Sequence, residues 1–184
     1  MRVAISSCLL GAPVRYDGGA KPNAAVLGLA EKVDVVRVCP ETAAGLPVPR
    51  PPAEQRDGRV WLRDGTDVTE DFARGAEKCF GPVIRSGAPL AILKAKSPSC
   101  GHRVIYDGTY TGSLIAGDGV FARRLEKEGV CVVTEEIVES CKPSVEHPVA
   151  IVLGSGLGHL GSLVKPVRRI DYHDIEGFPT DARP

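Results

Sequence analysis

Three cysteines stand where chemistry is possible. Cys8, Cys39 and Cys100 each follow a short apolar run: residues 3–6 lead into Ser7-Cys8, residues 33–38 into Cys39-Pro40-Glu41, and Leu90–Leu93 through Lys94 and Lys96 into Ser97-Pro98-Ser99-Cys100-Gly101. No local C-x-x-C spacing joins them. Their signal is positional, because ligands of an open parallel sheet bind just beyond the carboxyl ends of its strands. Cysteines at three such ends are expected to converge on one site.

Three thiolates bind zinc or an iron–sulfur cluster. A closed zinc site needs a fourth ligand, and His102, two residues past Cys100, is a candidate although the turn can point it elsewhere. A four-iron cluster on three thiolates would instead keep one iron open. Glu41 and Ser97 lie two residues after Cys39 and three before Cys100. If the cysteines meet, the carboxylate can move protons for an attacking water and the hydroxyl can relay one. Ser99, in the same turn, is a candidate substrate contact. Arg15, Arg50, Lys94 and Lys96 would make the mouth positive, although lysines at strand ends are commonly just solvated. Cys79 on an apolar helix face and Cys131 inside V-C-V-V read as core packing. Cys141 reads as an idle thiol in a polar linker.

The elements that must position these groups alternate. The expected order is a strand at Arg2–Ser6, an irregular loop over residues 8–21 and a helix from Pro22-Asn23 to about Lys32. A strand over residues 33–38, covered on both faces, comes next. The proline-rich segment 42–58 reads as a long functional loop, and residues 59–63 as a short strand or hairpin arm. Asp67-Val68-Thr69-Glu70 has a capping-box pattern and opens a helix to Ser86, with Phe72, Ala76, Cys79, Phe80 and Val83 on one face. After Leu90–Leu93, a two-residue hairpin is expected at Asp107-Gly108 between Val104–Tyr106 and residues 109–111. A helix over 120–128 and a parallel strand over 130–134 complete a doubly wound, Rossmann-like, mostly parallel α/β sheet. The domain boundaries read as 1–140, a linker at 141–148 and a segment at 149–184.

Composition bounds the partners. Of 184 residues, 43% are apolar and 25% charged, with 23 basic and 23 acidic side chains. That balance lacks the basic excess of a nucleic-acid surface. No apolar run approaches the roughly 20 residues that span a membrane, and the N-terminus lacks the pattern of a secretory signal. A cytoplasmic protein is therefore expected, in which six cysteines point to metal or catalysis before disulfides.

Several motifs carry a resemblance: S-S-C-L-L-G-A-P-V-R-Y-D-G, V-C-P-E followed by G-L-P-V-P-R-P-P-A-E, D-G-T-D-V-T, and L-K-A-K-S-P-S-C-G followed by Y-D-G-T-Y. In this order, over about residues 1–137, they resemble the short bacterial family that includes the 2-thiouracil desulfurases. The resemblance implies a [4Fe-4S] cluster on Cys8, Cys39 and Cys100, with catalytic roles for Glu41 and Ser97. It also implies non-redox chemistry, in which a thiocarbonyl sulfur binds the open iron and water attacks the carbon. The substrate would be a small thiolated base or nucleoside, with no nucleic acid or membrane partner. In residues 149–184, V-A-I-V-L-G-S-G-L-G and I-D-Y-H-D-I-E-G-F-P resemble the opening of purine nucleoside phosphorylases, with Ser155 as a vestigial phosphate contact. Gly156, Gly158 and Gly161 also fit a dinucleotide fingerprint, but the roughly 30-residue βαβ unit is incomplete. Because the chain stops at Pro184, the segment reads as truncated and inactive, and as circumstantial support for nucleobase salvage. The competing readings are a zinc-stabilised binding domain without catalysis and an accessory module of a phosphorylase.

Overall fold

The computed structural model divides the chain into Met1–Lys142 and Pro143–Pro184 and describes residues 1–140. Four parallel strands form its centre: β1 (Arg2–Ser6), β2 (Asp34–Val38), β5 (Leu90–Leu93) and β8 (Cys131–Thr134), in the order β2-β1-β5-β8. The chain leaves β1 toward β2, then returns to the other side of β1 for β5. The switch point expected of such a sheet therefore lies between β1 and β5. The register places Ser6 opposite Val38, and Ile5 opposite Ile92, so these strands end side by side.

Helices cover both faces, and strand alternation decides which residue serves which face. Ala4, Ala91 and Leu93 face α3 (Thr69–Ser86) and α4 (Val120–Glu126), where Ala76, Val83, Phe121 and Leu125 complete one core. Val3, Ile5 and Ile92 face the opposite side, where Leu9 and Val26 of α1 (Ala24–Ala30) join them, with Val138 of α5 (Glu135–Ser140) packed alongside. Burying each large aliphatic or aromatic side chain contributes about 1.5–3 kcal/mol. This is the doubly wound arrangement the sequence predicts.

Departures from the sequence reading have local causes. The loop after β1 begins with a 3-10 turn over Ser7–Leu10, ended by Gly11 at φ 87°. Asn23 caps α1 by accepting the Val26 N–H at 3.1 Å. Residues 33–38 do not make a strand covered on both faces: β2 is an edge strand, with Asp34 and Arg37 exposed and only Val38 buried. The proline-rich segment is not wholly irregular. Pro40 opens the short helix α2 (Pro40–Ala43), and Ala53–Arg56 forms β3, antiparallel to β4 (Arg59–Leu62). Proline suits the first turn of a helix, where its missing N–H would have no partner.

The start of α3 is held by Asp67, whose Oδ1 accepts from the Thr69 N–H at 2.9 Å and its hydroxyl at 2.6 Å, in place of a capping box. The two-residue hairpin does not form. β6 (Val104–Tyr106) pairs with β7 (Leu114–Ala116), because the buried carboxylate of Glu54 takes the Gly108 and Tyr110 N–H groups at 3.0 Å each. Cys131 is exposed, not in the core; it is the first residue of β8, which lies at the edge of the sheet.

One close approach sets the position of α2. A Cβ on Gly75 of α3 would stand 2.1 Å from the Pro40 carbonyl oxygen. Gly75→Ala is therefore expected to cost about 1–3 kcal/mol by overpacking. Gly28→Ala in α1, where a Cβ meets nothing within 4 Å, is expected to stabilise by up to about 1 kcal/mol. Urea unfolding of the two variants reads both signs, and a Gly75→Ala chain as stable as the parent would contradict this packing.

Candidate active site

Cys8, Cys39 and Cys100 line one cavity of about 740 Å³ beyond the ends of β1, β2 and β5, together with Glu41 and Ser97. Each cysteine is held by backbone geometry. Cys8 sits in the 3-10 turn, and its carbonyl accepts from Gly11 at 3.3 Å and Lys21 at 3.0 Å. Cys39 occupies the N-cap position of α2 in extended conformation, with its carbonyl accepting from Ala43 and the Thr42 hydroxyl. Burial raises the thiol pKa of Cys79 to about 11, and the neighbouring Cys39 backbone opposes that rise. Cys79 is buried, as expected of core packing.

Cys100 is the most enclosed of the three. Its turn is bracketed by Lys96 at φ 62° and Arg103 at φ 64°, left-handed conformations that non-glycine residues adopt at a cost of about 1–2 kcal/mol each. Gly119 seals the back of this turn: a Cβ there would stand 2.4 Å from the Ser99 carbonyl. The N–H groups of Gly119, Val120 and Phe121 donate to the carbonyls of Gly101, Pro98 and Ser99 at 2.7–3.0 Å. Gln55 adds a brace from β3, donating to the Pro98 and Asp118 carbonyls at 2.8 and 3.0 Å.

Burial raises the thiol pKa of Cys8 from 9.0 to about 11; the neighbouring Cys39 adds to the rise, and Lys94 and Arg15 oppose it. Burial also pushes Cys100 well above the ordinary thiol value. There the nearby Ser6 hydroxyl opposes the rise, while Cys8, Cys39 and Glu41 reinforce it. Ser6 is itself buried at the end of β1 and accepts the Lys94 N–H at 3.0 Å. These mutual effects place the three sulfurs in one electrostatic neighbourhood. Like-charged thiolates gathered away from water need a cationic centre to hold them.

Glu41 is oriented by the largely buried Arg50, whose Nε donates to Oε2 at 3.0 Å. Arg50 also donates to the carbonyls of Pro47 and Val14 at 3.0 and 3.2 Å, so it ties the loop after β1 to α2. The Ser97 oxygen accepts the N–H groups of Ser99 and Cys100 at 3.1 and 3.2 Å. Both bonds use lone pairs, which leaves the hydroxyl proton to donate.

Other expected site residues fall elsewhere. Ser99 is fully buried and is not among the residues lining the cavity; its hydroxyl has no partner. His102 does not join the cysteines; its side chain turns toward Asp118 and Glu126. The mouth is not a free basic patch, since Arg15, Arg50, Lys94 and Lys96 pair with Asp17, Glu41, Glu135 and Glu136. Sequence reasoning misses Ser6, Gln55 and Glu135, whose positions become meaningful only once distant strands are brought together. Ser155 and Cys141 lie outside the described residues.

The donor set suits an iron–sulfur group. Its members are soft thiols, all free, and soft ligands favour such centres over hard ions. Thiolates on one tetrahedral zinc stand about 3.8 Å apart. Among the described residues, the group of three ligands within 4.8 Å of one another is His102, Asp118 and Glu126, not the cysteine trio. The wider spacing of the cysteines fits a polynuclear centre better than a single ion.

Comparisons with known proteins show what the chain is similar to. A family model described as 2-thiouracil desulfurase matches residues 3–137. A Bacillus subtilis (strain 168) protein described as "Uncharacterized protein YbbK" is 36% identical over 143 residues, covering 72% of this chain and 95% of that protein. A solved structure described as the [4Fe-4S]-dependent thiouracil desulfidase TudS superposes with a TM-score of 0.71 at 37% identity, covering 89% of this chain and 99% of that one. These matches lend no support to the phosphorylase resemblance of residues 149–184.

The raised thiol values have a consequence for pH. Between 9.0 and about 11 the folded chain keeps a proton on Cys8 that the unfolded chain releases, and the same holds for Cys79. The metal-free protein should keep this stabilisation in full below pH 9 and lose it as pH rises toward about 11. Urea midpoints should fall across that window, and fall less in Cys79→Ala; identical profiles for the two chains would contradict the assignment.

Proposed function

This chain belongs to the 2-thiouracil desulfurase family, and we propose that its cavity cleaves the C–S bond of a thiolated nucleobase or nucleoside by hydrolysis. The observation that carries the reading is the delivery of three thiols from three strand ends to one cavity at the switch point of the sheet. Cys8, Cys39 and Cys100 would hold a [4Fe-4S] cluster. With three protein ligands, that cluster supplies a Lewis-acidic iron able to polarise a thiocarbonyl.

The remaining work falls to the chain's own side chains. Glu41 takes a proton from water as its oxygen attacks the thiocarbonyl carbon. Arg50 holds Oε2, so the carboxylate needs no reorientation during the step. Ser97, its oxygen already fixed by two backbone N–H groups, donates its proton toward the departing sulfur and regains one from Glu41, and the second proton of the water passes to sulfur as the carbonyl forms. A C–O bond forms and the C–S bond breaks. Sulfur leaves as hydrogen sulfide and the carbon keeps its oxidation state, so no electron donor is required. The cavity volume falls within the roughly 300–1,000 Å³ of small-ligand sites. Tyr16, Tyr106 and Tyr110 line it, offering flat faces to a heterocycle.

Anaerobic reconstitution followed by a sulfide-release assay on a panel of thiolated bases tests the reading. A brown, iron-loaded chain that releases sulfide is expected; a colourless, zinc-loaded chain with no release would refute it. Cys8→Ser, Cys39→Ser and Cys100→Ser should each lose the iron. Glu41→Gln should keep its iron and colour while turnover falls by about 10²–10⁴. Full turnover in that variant would remove Glu41 from the mechanism.

A further inference from the structure

Behind the cysteine turn, away from the cavity, lies a second group of ligand-type side chains. The side chain of His102 is only 7% exposed, and its Nδ1 stands 3.3 Å from Asp118 Oδ1 and 3.5 Å from Glu126 Oε1. This nitrogen is buried and makes no hydrogen bond, not even to those two oxygens. Neither carboxylate has a lysine or arginine partner among the described residues. Arg124 is engaged by Glu77 and Glu128, and Arg123 donates to the Asp118 carbonyl and to Gln55. Asp118 Oδ1 accepts the Arg103 N–H at 2.6 Å and keeps further lone-pair capacity, so two carboxylates without a basic side-chain partner face a buried, unpartnered imidazole nitrogen. The three ligand-type atoms all lie within 4.8 Å of one another, an arrangement that suits a cation between them.

The spacing decides which cation. Ligands on a tetrahedral zinc, with bonds of about 2.0–2.1 Å, stand about 3.4 Å apart, which the two observed separations match. Magnesium demands oxygen ligands in near-ideal octahedral geometry, whereas imidazole selects ions of the zinc type. The geometry points to a mononuclear divalent transition-metal site, of the zinc class, on His102, Asp118 and Glu126, with a remaining position open to water on the exposed Glu126 side. It is separate from the cysteine centre and does not depend on the desulfurase reading. The ion would tie the residue two positions past Cys100 to Asp118, just before α4, and to Glu126 at its end. Its effect is to pin the turn that presents Cys100.

Calorimetric titration with zinc chloride, with elemental analysis and melting curves, tests the site. The first arm compares the cluster-loaded chain with its Glu126→Gln variant. Glu126 is exposed, so the change leaves folding intact. The second arm uses the Cys8→Ser, Cys39→Ser, Cys100→Ser triple variant, which removes the cysteine site and so reads this ion whatever becomes of the cluster. A single zinc per chain is expected in both backgrounds, undisplaced by magnesium, and it should raise the melting temperature. Glu126→Gln should weaken binding at least about 10-fold, and His102→Gln should abolish it. Unchanged zinc affinity in Glu126→Gln overturns the proposal. So does absence of zinc from the cluster-loaded chain.

Discussion

The site depends on three parallel strands ending level with one another. β1, β2 and β5 are hydrogen-bonded neighbours, and their register brings Ser6, Val38 and the end of β5 to one edge of the sheet. Residues separated by more than ninety positions in the chain then emerge within one neighbourhood. The strand ends are rigid because both faces of the sheet are covered, by α3 and α4 on one side and α1 and α5 on the other. Placement accurate enough for metal chemistry comes more readily from such elements than from loops alone.

That placement has an energetic cost, visible in the thiols. Burial disfavours the anionic form of Cys8 and Cys100, and each sulfur worsens the position of its neighbours. The fold offsets only part of this, through the Ser6 hydroxyl at Cys100 and through Lys94 and Arg15 near Cys8. A site that destabilises free thiolates while keeping their carriers rigid is suited to a group that supplies the missing positive charge. The Glu41–Arg50 pair follows a different logic: a buried arginine with two carbonyl partners orients a carboxylate that lines the cavity.

The sheet and the cysteine trio were legible in the chain because each rests on local signals: a short apolar run, then a cysteine among turn residues. The helix face of Phe72, Ala76, Cys79 and Val83 was legible for the same reason, by its period. What escaped depends on distant partners. The second arm of the hairpin was misplaced because Glu54, more than fifty residues earlier, takes the N–H groups of Gly108 and Tyr110. Cys131 was misassigned because nothing in V-C-V-V reveals that its strand lies at the edge of the sheet. Ser6 looked like an ordinary strand terminus, yet it links β1 to the Lys94 N–H and tempers the raised thiol pKa of Cys100. In His102, the chemistry of the side chain was evident but its direction was not.

The pairing of charges around the cavity bears on how molecules arrive. Arg15, Arg50, Lys94 and Lys96 each face a carboxylate, and the same lining carries Lys21 and Arg63 alongside Glu54 and Glu139. Their fields largely cancel at distances beyond a Debye length, about 8–10 Å. Long-range steering therefore contributes little to encounter, and an uncharged heterocycle arrives at an ordinary diffusive rate that ionic strength scarcely alters. A phosphorylated molecule would gain little long-range attraction from this entrance, whose charges are nearly balanced.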